Sequence, residues 1–308
     1  MSHPLTRWAP PPVLVLMFGS TMWGTTWIWL KAIDGLGVGP LLISVLAYGA
    51  QFLMVLPWVL PNLLKRLRRP GHTPLAWCWL LALAALSGVS GVGFTMAMVY
   101  GDVVRSMLLF FLIPAWGVLF GRIFLGEPFT AYRLIAVVFA LMGAALILGP
   151  DLRFDDNLGF SLADGSALIA GLALAGANVV FRYLQAEPML LKLSVMQIGG
   201  VAFGLGALVF FPEPIGLITL NGLIQSVAYG ATLLLGAMLA TQYAVERLPS
   251  GRSAVLMTLE LVIASLTAIG IGHEQPGLWV WLGGGLILSA ALLEATSQTP
   301  DKPTEQTP

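Results

Sequence analysis

The chain has 308 residues, of which 57% are hydrophobic and only 10% charged, with a formal net charge of zero. A water-soluble domain carries roughly a quarter charged residues, so a soluble globule of this size is excluded, and the balanced charge leaves no basic field for nucleic acid. The surplus apolar surface has to face lipid, which makes the bilayer the chain's first partner.

A helix that crosses the hydrocarbon core needs about 20 predominantly apolar residues. Such runs lie near 13–32, 40–60, 76–98, 104–125 and 131–149. A polar break at Asp151–Asn157 follows, then runs near 162–184, 190–211, 218–243, 252–271 and 277–296. The expected fold is an all-α integral membrane protein of ten transmembrane helices. The first run lacks a small-residue cleavage signature and reads as retained. Residues 297–308 are polar and proline-rich, which predicts a disordered tail.

Basic residues set the expected orientation, because cytoplasmic loops are enriched in Lys and Arg. With the N-terminus inside, the inner segments hold Arg7, Lys65, Arg66, Arg68, Arg69, Arg122, Arg133, Arg182, Lys192, Arg247, Arg252 and Lys302, against Lys31, Arg105 and Arg153 outside. That bias places both termini, and hence the 297–308 tail, in the cytoplasm, and favours an even number of spans.

The chain also repeats itself. An offset of 147 residues sets Arg105-Ser106 on Arg252-Ser253, Leu109 on Leu256 and Glu127 on Glu274, while an offset of 152 sets Gly19 and Gly24 on Gly171 and Gly176. Five helices per half is odd, so the second half enters the membrane inverted. The reading is two inverted five-helix repeats, 1–150 and 151–296. Inverted repeats are an architecture of alternating access, with a site near the midplane between them.

Several segments resemble the EamA-type, ten-helix members of the drug/metabolite transporter superfamily. The run from Leu16 to Trp27, with Trp23-Gly24 followed by Thr25-Thr26, is similar to the family's opening helix. Leu112-Ile113-Pro114 with Leu125-Gly126-Glu127-Pro128 resembles its fourth helix and closing Gly-Glu, and Leu259-Glu260-Leu261 resembles the Leu-Glu-Pro of the matching stretch in the second half. Leu261 stands where the family has proline, and the second closing motif reads His273-Glu274. The arginine common in the family's second helix is absent, with Tyr48 and Gln51 nearby. The resemblance implies a small-metabolite exporter or facilitator of the bacterial inner membrane. It also implies a cavity walled by the first, third, fourth, sixth, eighth and ninth helices.

Polar residues within the spans are the candidate site. Glu260 lies inside an apolar run, where a charge costs roughly 3 kcal/mol. It reads either as a substrate-amine contact or protonatable switch, which would couple transport to protons, or as a hydrogen-bonded brace. Arg105 and Arg252 fall at equivalent helix starts, where the exposed N–H groups already make the end positive. Each is a carboxylate-binding or gating arginine, or else one half of a pair, with Asp102 and Glu246 the nearby acids. Trp23 and Trp27 share one helix face and read as an aromatic cavity wall or as interface anchors, the second of which fails for Trp23 near mid-span.

Asn178 and Gln242 stand on helices that the resemblance assigns to the cavity, ahead of Gln197, Gln225, Tyr229 and Tyr243. Each of these also suits inter-helix hydrogen bonding. Pro114 removes a backbone bond and is, by resemblance, a gating hinge or a static kink. Gly117-xxx-Gly121 and Gly200-xxx-Gly204 read as close-packing faces.

No phosphate loop, His-Glu-xx-His or nucleophile elbow occurs, so no enzyme activity or cofactor is expected. The single Cys78 and the scattered His3, His72 and His273 make no metal-ligand spacing. The expected function is secondary transport of a small organic metabolite, an amino acid or related compound, most simply as export. The alternatives are a phosphorylated or lipid-linked solute, which would call for several basic residues in the cavity, or a non-transport membrane protein.

Overall fold

The structure is a computed structural model and describes residues 10–67, 74–125, 131–148, 160–185, 187–214, 218–245, 247–248 and 256–297. These residues are all-helical, without strands. In chain order the helices are α1 (Pro12–Gly24), α2 (Thr26–Asp34), α3 (Pro40–Leu67), α4 (Pro74–Tyr100), α5 (Val103–Phe110), α6 (Ile113–Leu125) and α7 (Ala131–Leu148). There follow α8 (Leu162–Tyr183), α9 (Met189–Phe210), α10 (Leu220–Tyr229), α11 (Leu235–Val245), α12 (Leu259–Gly270) and α13 (Leu278–Ser297).

Among the described residues, seven helical stretches are long and apolar enough to cross a membrane: Pro12–Asp34, Pro40–Pro61, Trp77–Tyr100, Val103–Phe124, Leu162–Tyr183, Met189–Phe210 and Leu220–Ala244. Three shorter apolar stretches, Leu134–Ile147, Leu259–Gly270 and Leu278–Leu293, occupy the places where the hydropathy pattern predicts the fifth, ninth and tenth spans. Ten is therefore reached only by counting those three. Between 28% and 59% of each long span's apolar window is buried inside the protein, so the remainder is left to lipid.

Small residues set the packing, because in lipid no hydrophobic force distinguishes one apolar face from another and close backbone approach takes over. The buried face of α8 is Ala163, Ala167, Ala170, Gly171, Ala173, Ala175 and Ala177, and it packs on α4, α5 and α6. In the same way α3 packs on α9 and α1 on α11 and α12. Helices α7 and α13 meet at Gly143 and Gly283, where a side chain on either would strike the other's carbonyl. Gly200 and Gly204 form a close-packing face as the motif suggests, against Tyr48 and Val45. Gly117 does not: nothing among the described residues comes within 4 Å of where its Cβ would stand.

Several spans are interrupted, and two of the interruptions have a chemical cause legible in the residues. The first breaks at Thr25. Three threonine hydroxyls there compete for helix carbonyls: Thr21 donates to Met17 O at 2.8 Å, Thr25 to Thr21 O and Met22 O at 3.0 Å, and Thr26 to Trp23 O at 2.7 Å. Such back-bonding bends helices. The fourth span breaks at Phe111-Leu112 between α5 and α6. Pro114 lacks the N–H that Phe110 O would accept, and in the first turn of α6 a proline is tolerated. The sequence reading of Pro114 as a kink within one helix is thereby refined: the residue opens a second helix. The eighth span contains a π-helical turn, Gly230–Leu234. In the ninth, Thr258 interrupts the chain just before α12.

Candidate functional site at the helix breaks

The offset of 147 residues maps the break at Phe111-Leu112 onto Thr258-Leu259, so the two repeats are broken at equivalent places. Paired interruptions at corresponding positions of two halves mark the binding region in transporters built this way. Each break is met by a glycine of an opening helix. A Cβ on Gly171 of α8 would stand 2.5 Å from the carbonyl oxygen of Phe110, and one on Gly24 of α1 would stand 2.7 Å from the carbonyl oxygen of Glu260.

Glu260 occupies the first turn of α12 and is 8% exposed. The described residues make no hydrogen bond or ion pair to its carboxyl group. On α1, Trp23 donates its indole N–H to Thr241 Oγ1 on α11 at 3.2 Å. Trp27, 5% exposed, donates to Thr267 Oγ1 on α12 at 3.0 Å. The two tryptophans thus tie the first span to the eighth and ninth. Ser20 adds a bond to Leu256 O at 3.4 Å. Gln242 is half-buried beside Thr241, whereas Asn178 is exposed on α8. Arg252 lies outside the described residues, as do Glu127 and Glu246.

Arg105 does have the compensating anion that its place at a helix start demands, but the partner is not the neighbouring Asp102. Its Nε donates to Asp164 Oδ1 at 2.7 Å and its Nη2 to Asp164 Oδ2 at 3.1 Å. Asp164 is held in turn by a capping box, accepting from Ser161 N at 2.8 Å while its own N–H donates to Ser161 Oγ at 3.1 Å. The spacing Ser161-x-x-Asp164 was the available signal for an acid pinned at that helix start. Arg105→Leu is expected to lower the melting temperature by leaving a buried carboxylate without its cation, a change that costs about 3–5 kcal/mol in buried pairs. Thermal unfolding in detergent, with Arg105→Lys as the milder comparison, measures it.

Two open cavities lie at one face of the bundle. The larger, about 340 Å³, is lined by Asp102, Arg105, Glu274, Gln275 and Trp279 among others. The smaller, about 190 Å³, is lined by Asp34, Gly37, Gly39, Tyr100, Glu213 and Pro214. No group of three or more metal-ligating side chains occurs among the described residues.

Sequence reasoning missed the threonine acceptors of the tryptophans, and it named Gln51 and Gln197 without the burial that the fold gives them. Gln51 and Gln197 are each 1% exposed on the packed faces of α3 and α9. Neither amide atom of Gln51 has a partner among the described residues, and Gln197 reaches only Met238 Sδ, at 3.9 Å.

These features define the class: a multi-pass helical membrane protein with two repeats broken at equivalent points and a polar residue at one break. The chain matches the EamA-like transporter family over residues 11–149 and 161–295 and belongs to that family, part of the drug/metabolite transporter superfamily. A protein described as an uncharacterized transporter of Vibrio cholerae serotype O1 is 28% identical over 139 residues, 44% of this chain and 45% of the relative, so the match spans less than half of either protein. A solved crystal structure with 18% identity superposes with a TM-score of 0.59 over 92% of this chain and 95% of that one, a likeness of fold.

Proposed function

We propose that the protein is a secondary transporter of a small organic metabolite, an amino acid or related compound, exporting it across the bacterial inner membrane by alternating access. The observation that carries this reading is Glu260. A carboxyl group in a membrane helix, buried in the first turn of α12 just after the break, on a residue whose backbone carbonyl lies against Gly24 of the first span, has to be neutralised by a proton or by a cationic group of the solute. An α-ammonium group would supply that charge, which is why an amine-bearing metabolite is favoured over a sugar. Arg105 is engaged by Asp164, which weakens the case for a phosphorylated solute. The excess of basic residues on one set of loops supports cytoplasmic termini.

Counterflow in proteoliposomes tests the substrate class. Vesicles preloaded with each member of a panel of amino acids, amines, sugars, nucleosides and sugar phosphates are diluted into trace labelled solute. Saturable exchange is expected for an amine-bearing solute and not for sugars. Exchange confined to sugar phosphates would overturn the reading, and exchange of none of them would favour a non-transport role.

A further inference from the structure

Two glutamates of the second half end on two helix starts of the first. Glu213, in the connection after α9, accepts from Leu41 N at 2.8 Å through Oε1 and from Leu42 N at 3.1 Å through Oε2. Glu274, in the connection after α12, accepts from Val103 N at 2.7 Å through Oε1 and from Val104 N at 3.0 Å through Oε2. In both, one carboxylate spans two successive amides at the start of a helix, some 170 residues away in sequence.

The first amides of a helix have no partner within the helix, and a residue just before it ordinarily caps them. Here the local cap is missing in both places. Gly39, preceding α3, has no side chain, and a Cβ there would collide with the Glu213 carboxylate, so the glycine is the cradle in which that carboxylate sits. Asp102, the N-cap residue of α5, makes no side-chain capping bond. The caps that these helices lack locally are supplied from the other half.

Two further contacts run in the same sense. Lys31 at the end of the first span stands 3.7 Å from Glu274 Oε1, while within its own half it donates to Gly101 O at 3.0 Å. Thr219 Oγ1 donates to Leu36 O at 3.1 Å, joining the start of α10 to the connection after α2. The turn that aims Glu274 is itself held under strain. His273 has φ 54°, the left-handed region that glycine enters freely, and the amide of Glu274 donates to Ala268 O at 3.1 Å. A glycine at this point, as in the Gly-Glu motif that the sequence replaces with His273-Glu274, would relieve the strain.

We propose that Glu213 and Glu274 are two latches that close this face of the protein by fastening the second half onto the helix starts of the first. The face opens when the carboxylates leave those amides. A latch of this chemistry is reversible, because water can replace the carboxylate at the amides and the amides at the carboxylate once the face opens.

The test is a distance measurement that needs no substrate, so it stands apart from the assignment of what is carried. In a Cys78→Ser background, spin labels at Gly35→Cys and Leu278→Cys report on the Glu274 latch, and labels at Gly35→Cys and Asn221→Cys report on the Glu213 latch. Glu274→Gln and Glu213→Gln each keep the size of the side chain but lose the second acceptor oxygen and the charge. Each is expected to raise the ratio of long to short distances across its own label pair by roughly tenfold, equivalent to about 1.4 kcal/mol. The double variant should shift both pairs. If monodisperse variants give the parent's distributions, the latches do not hold the face closed. Should Glu274→Gln not yield folded protein, Lys31→Met removes the ion partner instead. It should shift the first pair in the same direction by a smaller factor, and an unmoved distribution there overturns the proposal equally.

Discussion

Glu260→Gln is expected to abolish pH-dependent accumulation in proteoliposomes and, with it, exchange of an amine-bearing solute. The neutral amide has nearly the shape of a protonated carboxyl group but cannot release a proton. In the loaded carrier the ionised carboxyl group would pair with the solute's ammonium group, and in the returning empty carrier a proton would take that place, so solute leaves as protons enter. Glutamine mimics only the empty, protonated form and offers the solute no counter-charge. The expected loss is at least about tenfold, given that a charge in the middle of a membrane helix costs roughly 3 kcal/mol. Retained pH dependence in Glu260→Gln would sink proton coupling through this residue. Exchange kept while pH dependence is lost would mean that the carboxyl group carries the proton without touching an ammonium group of the solute.

The second large effect is expected at the glycines that admit the broken helices. Gly24→Val puts a branched side chain where even a Cβ would lie 2.7 Å from Glu260 O and 3.0 Å from the Ile263 side chain. The obstacle is backbone, so the helices must part rather than a side chain turn aside. Overpacking of this kind costs about 1–3 kcal/mol, and the displaced element carries Glu260, so transport should fall by roughly tenfold or more. Gly171→Val should act likewise through Phe110 O. Gly206→Ala, with nothing within 4 Å of the added carbon, is the comparison and should match the parent in counterflow and melting temperature. Parental activity in Gly24→Val would mean that the crossing of the first and ninth spans is looser than its geometry.

The place of the candidate site was legible from the residues because its signals are local or periodic. A carboxylate inside an apolar run, a proline at 114 and an offset of 147 residues can all be read along one dimension. The offset alone brings Leu112-Ile113-Pro114 onto Leu259-Glu260-Leu261, and the structure breaks both spans there. The positions of Trp23 and Trp27 on one face were equally readable from helical spacing. Their partners were not, since Thr241 and Thr267 are more than 200 residues distant.

The pairing of Arg105 went to the wrong acid for the same reason. Asp102 is near in sequence, but on entering α5 the chain turns the arginine toward α8, where a capping box already holds Asp164 in position. Glu213 gave no signal as a functional group, and Glu274 only a place in the repeat. Each looks like an ordinary polar residue in a loop until the fold delivers the helix start that it caps.

Composition and periodicity thus determined the solvent, the helical class, the repeat and the residue most worth testing. Each of these follows from what a single segment must do to lie in lipid. Tertiary structure alone decided the indole–threonine ties, the Arg105–Asp164 pair, the glycine contacts with freed carbonyls and the two carboxylate caps. Those depend on which helix starts and faces meet across the two halves, and inside a bilayer that is set by close packing of small residues and by satisfaction of every buried polar group, conditions that no segment meets by itself.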